Sequence, residues 1–264
     1  MEAERLVREG NLWDAQQALQ DQIRKEPENS GYRIFLFQLL AVRGQWDRSS
    51  DQLNVLKDLD NNAWQMLHGY GGAIQCEITR RQVFAGRSKP LILGEPSQWI
   101  AMLLESLKLM SESHYEQATA LRNHAYKLVP ECSGYIDDHP FQWIADADSR
   151  LGPVIELILD GKYYWVPFQS ISSISLSTPE DLRDLVWAPA HFTWANGGHS
   201  RALIPARYPG SDSSEDSALQ LARKTEWLEP AKSVFEGVGQ RMFATDLSEY
   251  PLLDIRQVKI NSFS

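Results

Sequence analysis

Apolar and polar positions in the first half of the chain alternate with the period of amphipathic helices. From Ala3 onward, apolar residues recur every three or four positions, as expected for helices that bury one face. Residues 33–40 are apolar on nearly all sides, which indicates a helix packed between neighbours. Residues 64–84 read as one longer helix, and Ser97 as the cap of the next. The sequence therefore predicts a helical region that ends at Pro130.

Two similar sequence motifs in this region begin 34 residues apart. They are GNLWDA, which begins at Gly10, and GQWDRS, which begins at Gly44. This interval is the period of the tetratricopeptide helix-turn-helix repeat. The second copy has Ser49 where the repeat pattern has a small alanine, and a third match, offset by one residue, begins at Ser113. The spacing predicts a degenerate array of short paired helices, an architecture that commonly serves as a binding scaffold.

Beyond Gly134 the pattern changes to strands and tight turns. Asp160-Gly161 accepts the positive φ angles of a type I′ hairpin turn, and residues 196–198 mark a second hairpin. Thr178 is predicted to cap a short helix that runs to about Val186. The predicted strands are 154–159, 162–167, 191–194, 202–204, 225–228, 239–244 and 252–260.

The chain therefore reads as an α+β protein in two parts. We predict degenerate tetratricopeptide-like helical repeats over residues 1–132, followed by an antiparallel β-rich domain with short helices over residues 133–264. A length of 264 residues lets each part bury a core of its own. Five tryptophans are expected to fill the core of the second part. They are Trp143, Trp165, Trp187, Trp194 and Trp227.

Composition narrows the class of partner. The chain has 26 basic and 35 acidic residues, and its net charge of −9 argues against a nucleic-acid partner. It contains neither a membrane-spanning apolar run nor a signal-peptide stretch, so we expect a cytoplasmic protein without membrane insertion. Cys76 and Cys132 lie far apart in sequence, which predicts buried, reduced thiols and no zinc site. No cofactor is expected.

The segment that most resembles a catalytic site is Asp146-Ala147-Asp148, which is followed by Arg150. Paired carboxylates can hold a divalent metal or exchange protons, but no metal-binding histidine spacing, GxSxG elbow or phosphate loop accompanies them. We favour a buried network in which these carboxylates, or Asp184, pair with arginines. The candidate arginines are Arg150, Arg183 and Arg207. A catalytic or metal site and a charged patch facing a partner remain open alternatives.

The second part of the chain contains several distinctive sequence motifs. They are WIADADSRLGP (143–153), PEDLRDLVW (179–187), IPARYPGS (204–211), ARKTEW (222–227) and PLLDIR (251–256), with LGEP (93–96) in the first part. These motifs resemble the ImpE/SciE family, also called TagJ, of type VI secretion accessory proteins. The charged and aromatic residues of these motifs are expected to be structural or to face a partner. They are Asp146, Asp148, Arg150, Asp184, Trp187, Arg207, Arg223 and Trp227.

The resemblance implies a cytoplasmic, non-enzymatic accessory of a contractile secretion machine. Family members associate with the small sheath subunit and, through it, with the AAA+ ATPase that disassembles contracted sheath. We therefore interpret the repeats as a groove for a helical segment of the sheath subunit. The repeat register assigns the groove to Ile34, Gln38, Ala41, Leu103, Leu107 and Met110.

These groove positions have a second interpretation, because each apolar side chain could instead pack against a neighbouring helix or the β domain. An enzyme with a carboxylate/arginine site in the second part, or a general protein-interaction scaffold, is the alternative function.

Overall fold

Helices occupy the first half of the chain, and strands dominate the second. The computed structural model describes residues 1–59, 64–94 and 97–261, so Glu95 and Pro96 of the LGEP motif lie outside it. The helices are α1 (Glu2–Glu9), α2 (Leu12–Lys25), α3 (Ser30–Val42), α4 (Trp46–Leu59), α5 (Trp64–Phe84), α6 (Gln98–Ser111), α7 (Tyr115–Tyr126) and α8 (Ser217–Gln220). Within the described ranges, no helix combines the length and apolar character needed to cross a bilayer.

The helices pack as consecutive pairs, α1 on α2, α3 on α4 and α6 on α7. The first two pairs turn at Gly10 (φ 85°) and Gly44 (φ 62°), where glycine accepts the left-handed backbone. Ser49 replaces the expected small alanine without loss of packing, because its buried hydroxyl donates to the Phe37 carbonyl at 3.1 Å. The assignment of these pairs to the tetratricopeptide class stays a prediction.

The strands of the described residues form three sheets. They are β1 (Leu91–Ile92), β2 (Gly134–Ile136), β3 (His139–Phe141), β4 (Ile144–Asp146), β5 (Val154–Leu159), β6 (Lys162–Pro167), β7 (Ile171–Leu176), β8 (Trp187–Trp194), β9 (His199–Pro205), β10 (Thr225–Ala231), β11 (Val234–Gly239), β12 (Met242–Thr245), β13 (Glu249–Pro251) and β14 (Gln257–Ile260). The largest sheet has the order β1-β6-β5-β9-β8-β7-β14-β2-β3, and the others are β13-β12-β4 and β10-β11. Only the β1–β6 pair is parallel among the described pairings.

The hairpin predictions are confirmed where the turn residues are strongest. β5 and β6 join at Asp160 (φ 49°) and Gly161 (φ 68°), as a type I′ turn requires. β8 and β9 form the second hairpin. The predicted strand 239–244 is wrong, because Gly239 at φ 93° ends β11 and a new strand begins at Met242.

The helix predicted from Thr178 is a shorter 3-10 helix over Leu182–Leu185. The helix begins later than predicted because the Asp184 carboxylate accepts hydrogen bonds from the backbone N–H groups of Glu180 (2.9 Å) and Asp181 (3.0 Å). Residue 181 therefore takes the N-cap position in place of Thr178. The predicted strand 252–260 likewise begins with a 3-10 turn, and only Gln257–Ile260 pairs as a strand.

Helices and sheet share one apolar core. A single cluster joins Phe37 and Trp46 of the helices to Trp165 and Trp187 of the sheet. A separate cluster lies within the β part, around Phe243. The length of the chain would allow each part a core of its own, but most of the buried helical residues join the cluster shared with the sheet. The helices instead bury their inner faces on the sheet, and the division near residue 132 stays a prediction.

Candidate functional site

A buried chain of charged side chains links the helices to the strands. Glu156 of β5 lies between two arginines, Arg80 of α5 and Arg241 just before β12. Arg80 donates to Glu156 from Nε at 2.6 Å and from Nη2 at 2.9 Å. Arg241 bridges the carboxylates of Glu156 and Asp146. All four side chains are buried, so the network is a junction inside the protein rather than a solvent-facing cleft.

Burial and charge act in opposite directions on these carboxylates. Burial raises the pKa of Asp146 to about 7, against the favourable charge of Arg241. Burial also acts to raise the pKa of Glu156, but Arg80 and Arg241 outweigh it and lower that pKa to about 2. Glu156 is therefore ionised at neutral pH and is held by two guanidinium groups.

Asp148 is bound more locally. It receives a bidentate ion pair from Arg150, with Nε to Oδ1 at 2.9 Å and Nη2 to Oδ2 at 2.6 Å. Its Oδ2 also accepts the backbone N–H of Gly237 at 2.8 Å. Asp146 and Asp148 thus turn towards arginines and backbone donors rather than towards solvent. Among the residues that the structure describes, no group of three or more His, Cys, Asp or Glu is placed to hold a metal ion.

Arg207 and Arg223 bind backbone carbonyls, which corrects the expectation that Arg207 meets a carboxylate. Arg207 is buried and donates to the Val42 carbonyl at 2.6 Å and to Ala41 at 3.3 Å. Arg223 is exposed and donates to the Arg8 carbonyl at 2.9 Å. The physical reason is that the last carbonyls of a helix lack intrahelical donors and attract cations.

Two tryptophans of the family motifs pack inside the protein, and Trp187 does so between the two parts of the chain. Trp187 is fully buried, donates from Nε1 to Glu77 at 3.0 Å and lies 5.8 Å from the ring of Trp46. Trp227 is half-buried against Tyr208, with ring centroids 5.6 Å apart. Both residues therefore contribute to packing rather than to an exposed interface.

The predicted groove over α6 is closed. Leu103, Leu107 and Met110 are 2%, 3% and 4% exposed, and Ala41 is fully buried. Met110 packs with Val234 of β11, so the β part covers this end of α6. Leu103 and Leu107 lie in the apolar cluster that the helices share with the sheet. The expectation that these side chains line an open surface is wrong.

A second depression remains open on the first helices α1 and α3. Its volume is about 500 Å³, and Ile34 and Gln38 of the predicted set line it. The Gln38 side-chain oxygen accepts the backbone N–H of Leu182 at 3.0 Å, while Ile34 is half-buried. The rim carries Glu4, Arg8, Glu180 and Asp181. We refer to this depression as the α1–α3 groove.

The sequence interpretation missed Arg80, Glu156 and Arg241, although one signal was present. Glu156 is the single charged residue in the apolar strand VIELIL, whose first five residues are all buried. A charge in such a strand is expected to have a buried partner, because burying it alone is very costly. The identity of the partners depends on contacts 76 and 85 residues away along the chain.

Comparison with known proteins identifies the family of this chain. Residues 138–259 match the family described as ImpE protein. The chain is 51% identical over 258 residues to "Type VI secretion system accessory component TagJ" of Pseudomonas aeruginosa, covering 98% of this chain and 90% of that protein. The crystal structure of protein VPA1032 from Vibrio parahaemolyticus has a TM-score of 0.90 at 25% identity, covering 100% of this chain and 98% of the other. The α+β fold prediction is confirmed, and the chain belongs to the ImpE family.

Proposed function

We propose that this chain is an accessory component of a type VI secretion system that acts by binding and not by catalysis. The observation that carries the proposal is the 51% identity, over nearly the whole chain, to a protein of that name. We also propose a cytoplasmic location, which the family resemblance supports.

We propose the α1–α3 groove as the binding site for a helical segment of the small sheath subunit. The groove combines an apolar floor with a charged rim, which suits an amphipathic helix that buries one face. Three of the four rim residues, Glu4, Glu180 and Asp181, are acidic. We therefore expect the bound helix to flank its apolar stripe with lysine or arginine.

The link to the AAA+ disassembly ATPase would then be indirect, through the bound sheath subunit. The competing enzyme interpretation has less support, because the side chains of Asp146 and Asp148 are buried and ion-paired. In this proposal Arg207, Arg223, Trp187 and Trp227 hold the helices on the sheet and leave the groove with a fixed shape.

The test is a fluorescence titration of a labelled peptide from the N-terminal helix of the small sheath subunit. We expect saturable binding to the wild type and at least about tenfold weaker binding to Ile34→Glu, since a charge would enter the apolar floor. Val55→Glu is the matched control, because Val55 is also β-branched and is 37% exposed on α4, outside the groove.

Two results would contradict the proposal at different levels. Equal affinities of the wild type and Ile34→Glu would remove the groove assignment and leave the partner in place. A wild-type protein that does not bind the peptide would remove the sheath helix as the ligand.

A further inference from the structure

A second cavity lies where the end of α7 meets β4 and β6, away from the α1–α3 groove. Its volume is about 370 Å³, within the range of small-molecule pockets. Buried aromatic rings form its inner wall, since Trp99 is 3% exposed and Phe168 is 1% exposed. We refer to it as the aromatic cleft.

Two further aromatic side chains of the cleft are exposed. Trp143 is 43% exposed and Tyr126 is 38% exposed, although Trp143 was expected to fill the core. Large aromatic rings that stay in contact with water beside an apolar cavity are typical of binding sites, because a ligand ring removes them from water.

A polar atom of the cleft lacks a partner. The side-chain oxygen of Gln169 is buried and accepts no hydrogen bond from any residue that the structure describes. Gln169 lines both the aromatic cleft and an adjoining depression of about 540 Å³ that contains Trp194. A buried acceptor without a donor is unfavourable, because the oxygen loses its hydrogen bonds to water and gains none in the protein. A ligand that brings one N–H or O–H group to this side chain would remove that cost.

The charge of the lining selects against anions. Glu131 is the single charged residue among the described residues that line the cleft and the adjoining depression. A carboxylate at the rim disfavours an anionic ligand and tolerates a neutral or cationic one.

From these observations we infer that the aromatic cleft binds a planar aromatic group that carries one hydrogen-bond donor, of the indole type. Free indole compounds and a tryptophan side chain of a partner protein share this chemistry. The ring would lie between Trp143 and the buried aromatic wall, with its N–H directed to Gln169. The inference is independent of the proposed role in secretion.

The experiment is a ¹⁹F NMR titration with 5-fluoroindole. We expect saturable binding to the wild type and at least about fivefold weaker binding to Trp143→Ala, by analogy with the stacking of nucleic-acid bases on aromatic side chains. Trp13→Ala is the matched control, because Trp13 is also exposed, at 60%, but lies on α2. Circular dichroism establishes that each variant is folded.

Gln169 is tested through the N–H group. The wild type should prefer 5-fluoroindole over its N-methyl derivative by about tenfold, the value of one buried hydrogen bond. Gln169→Met should bind both compounds equally, because it keeps the size of the side chain and removes the acceptor. Indole-3-acetate should bind more weakly than tryptamine because of Glu131.

A blocked Lys-Trp-Lys tripeptide distinguishes the two sources of the ring. Tighter binding than 5-fluoroindole supports a tryptophan of a partner protein, and weaker binding supports a free indole compound. Absence of saturable binding of either compound at millimolar concentration, or unchanged affinity in Trp143→Ala, would overturn the inference.

Discussion

Arg207 and Arg223 bind the same turn of two successive helical repeats. Arg207 donates to the carbonyls of residues 41 and 42 at the end of α3, and Arg223 to those of residues 7 and 8 at the end of α1. The two pairs of accepting carbonyls lie 34 residues apart in the sequence, and the same interval separates Gly10 from Gly44. The β part therefore contacts the repeat at equivalent places, with cations at the negative ends of two helices.

The two arginines should differ in their contribution to stability. Arg207 is 4% exposed, so Arg207→Met removes the side-chain donor of the Val42 carbonyl and should lower the free energy of unfolding by about 1–3 kcal/mol. Arg223 is exposed, and Arg223→Met should cost less than about 1 kcal/mol. Urea unfolding followed by circular dichroism measures both values. Equal losses would show that burial does not set the strength of these contacts.

Gly10 is predicted to be needed for close approach as well as for its backbone angle. A Cβ at Gly10 would lie 2.5 Å from the hydroxyl oxygen of Ser217, whereas Gly197 has nearly the same φ and open space. Gly10→Ala should therefore destabilise the protein more than Gly197→Ala, by up to about 1 kcal/mol, because the Ser217 hydroxyl must rotate away from the new Cβ.

The added Ser217→Ala substitution should recover this difference, because the remaining Cβ lies at an ordinary contact distance of 3.6 Å. Thermal unfolding of the single and double variants forms the double-mutant cycle. A cycle with no coupling would assign the whole cost of Gly10→Ala to backbone strain.

Local signals explain which parts of the fold could be predicted from the sequence. The Asp160-Gly161 turn and the long helix over residues 64–84 follow from residues close together in the chain, and both are found as predicted. β11 was missed because its run VFEGVG carries two glycines, which weaken a strand signal. The strand β1 was missed because it consists of two residues that gain their partner on β6, more than 70 residues later.

The candidate site was less predictable, because burial depends on long-range packing. The repeat period identified the face that carries Ile34 and Leu107. The period does not reveal that tertiary packing buries Leu107 in the shared core and leaves Ile34 half-buried. For the same reason the ion-pair partner of Asp146 was expected at Arg150, Arg183 or Arg207, whereas Arg241 supplies it from 95 residues away.

Leu107→Asp should unfold the protein rather than report on partner binding. Leu107 is 3% exposed within the shared core, so an aspartate there buries a charge without a partner and should cost more than about 4 kcal/mol. Ile34→Asp should cost about 1 kcal/mol, because that side chain already contacts solvent. Melting temperatures of the two variants provide the comparison. A folded Leu107→Asp protein would contradict the buried position of α6.

Glu156 should make stability depend on acid. Its pKa is lowered in the folded protein to about 2, so the stabilisation is complete above the ordinary value of 4.5 and is lost as the pH falls towards 2. When the pH falls from 6 to 3, the contribution of Glu156 to the free energy of unfolding should decrease by about 2 kcal/mol. Glu156→Gln should lose less over the same interval, even though it is less stable at every pH. Urea unfolding midpoints of the wild type and Glu156→Gln at pH 3, 4.5 and 6 test this difference in pH dependence. Midpoints that fall equally in both proteins would contradict the prediction.

The two thiols should react slowly and in a defined order. Burial raises the pKa of Cys76 from 9.0 to about 12 and that of Cys132 from 9.0 to about 11. At pH 8 the reactive thiolate should therefore be about a thousandfold scarcer for Cys76 and about a hundredfold scarcer for Cys132 than in an unfolded chain. Labelling with Ellman's reagent, in Cys76→Ala and Cys132→Ala variants with and without guanidinium, separates the two rates. We expect Cys132 to react first, because it also lines the aromatic cleft; faster labelling of Cys76 would show that access, and not thiolate supply, controls the reaction.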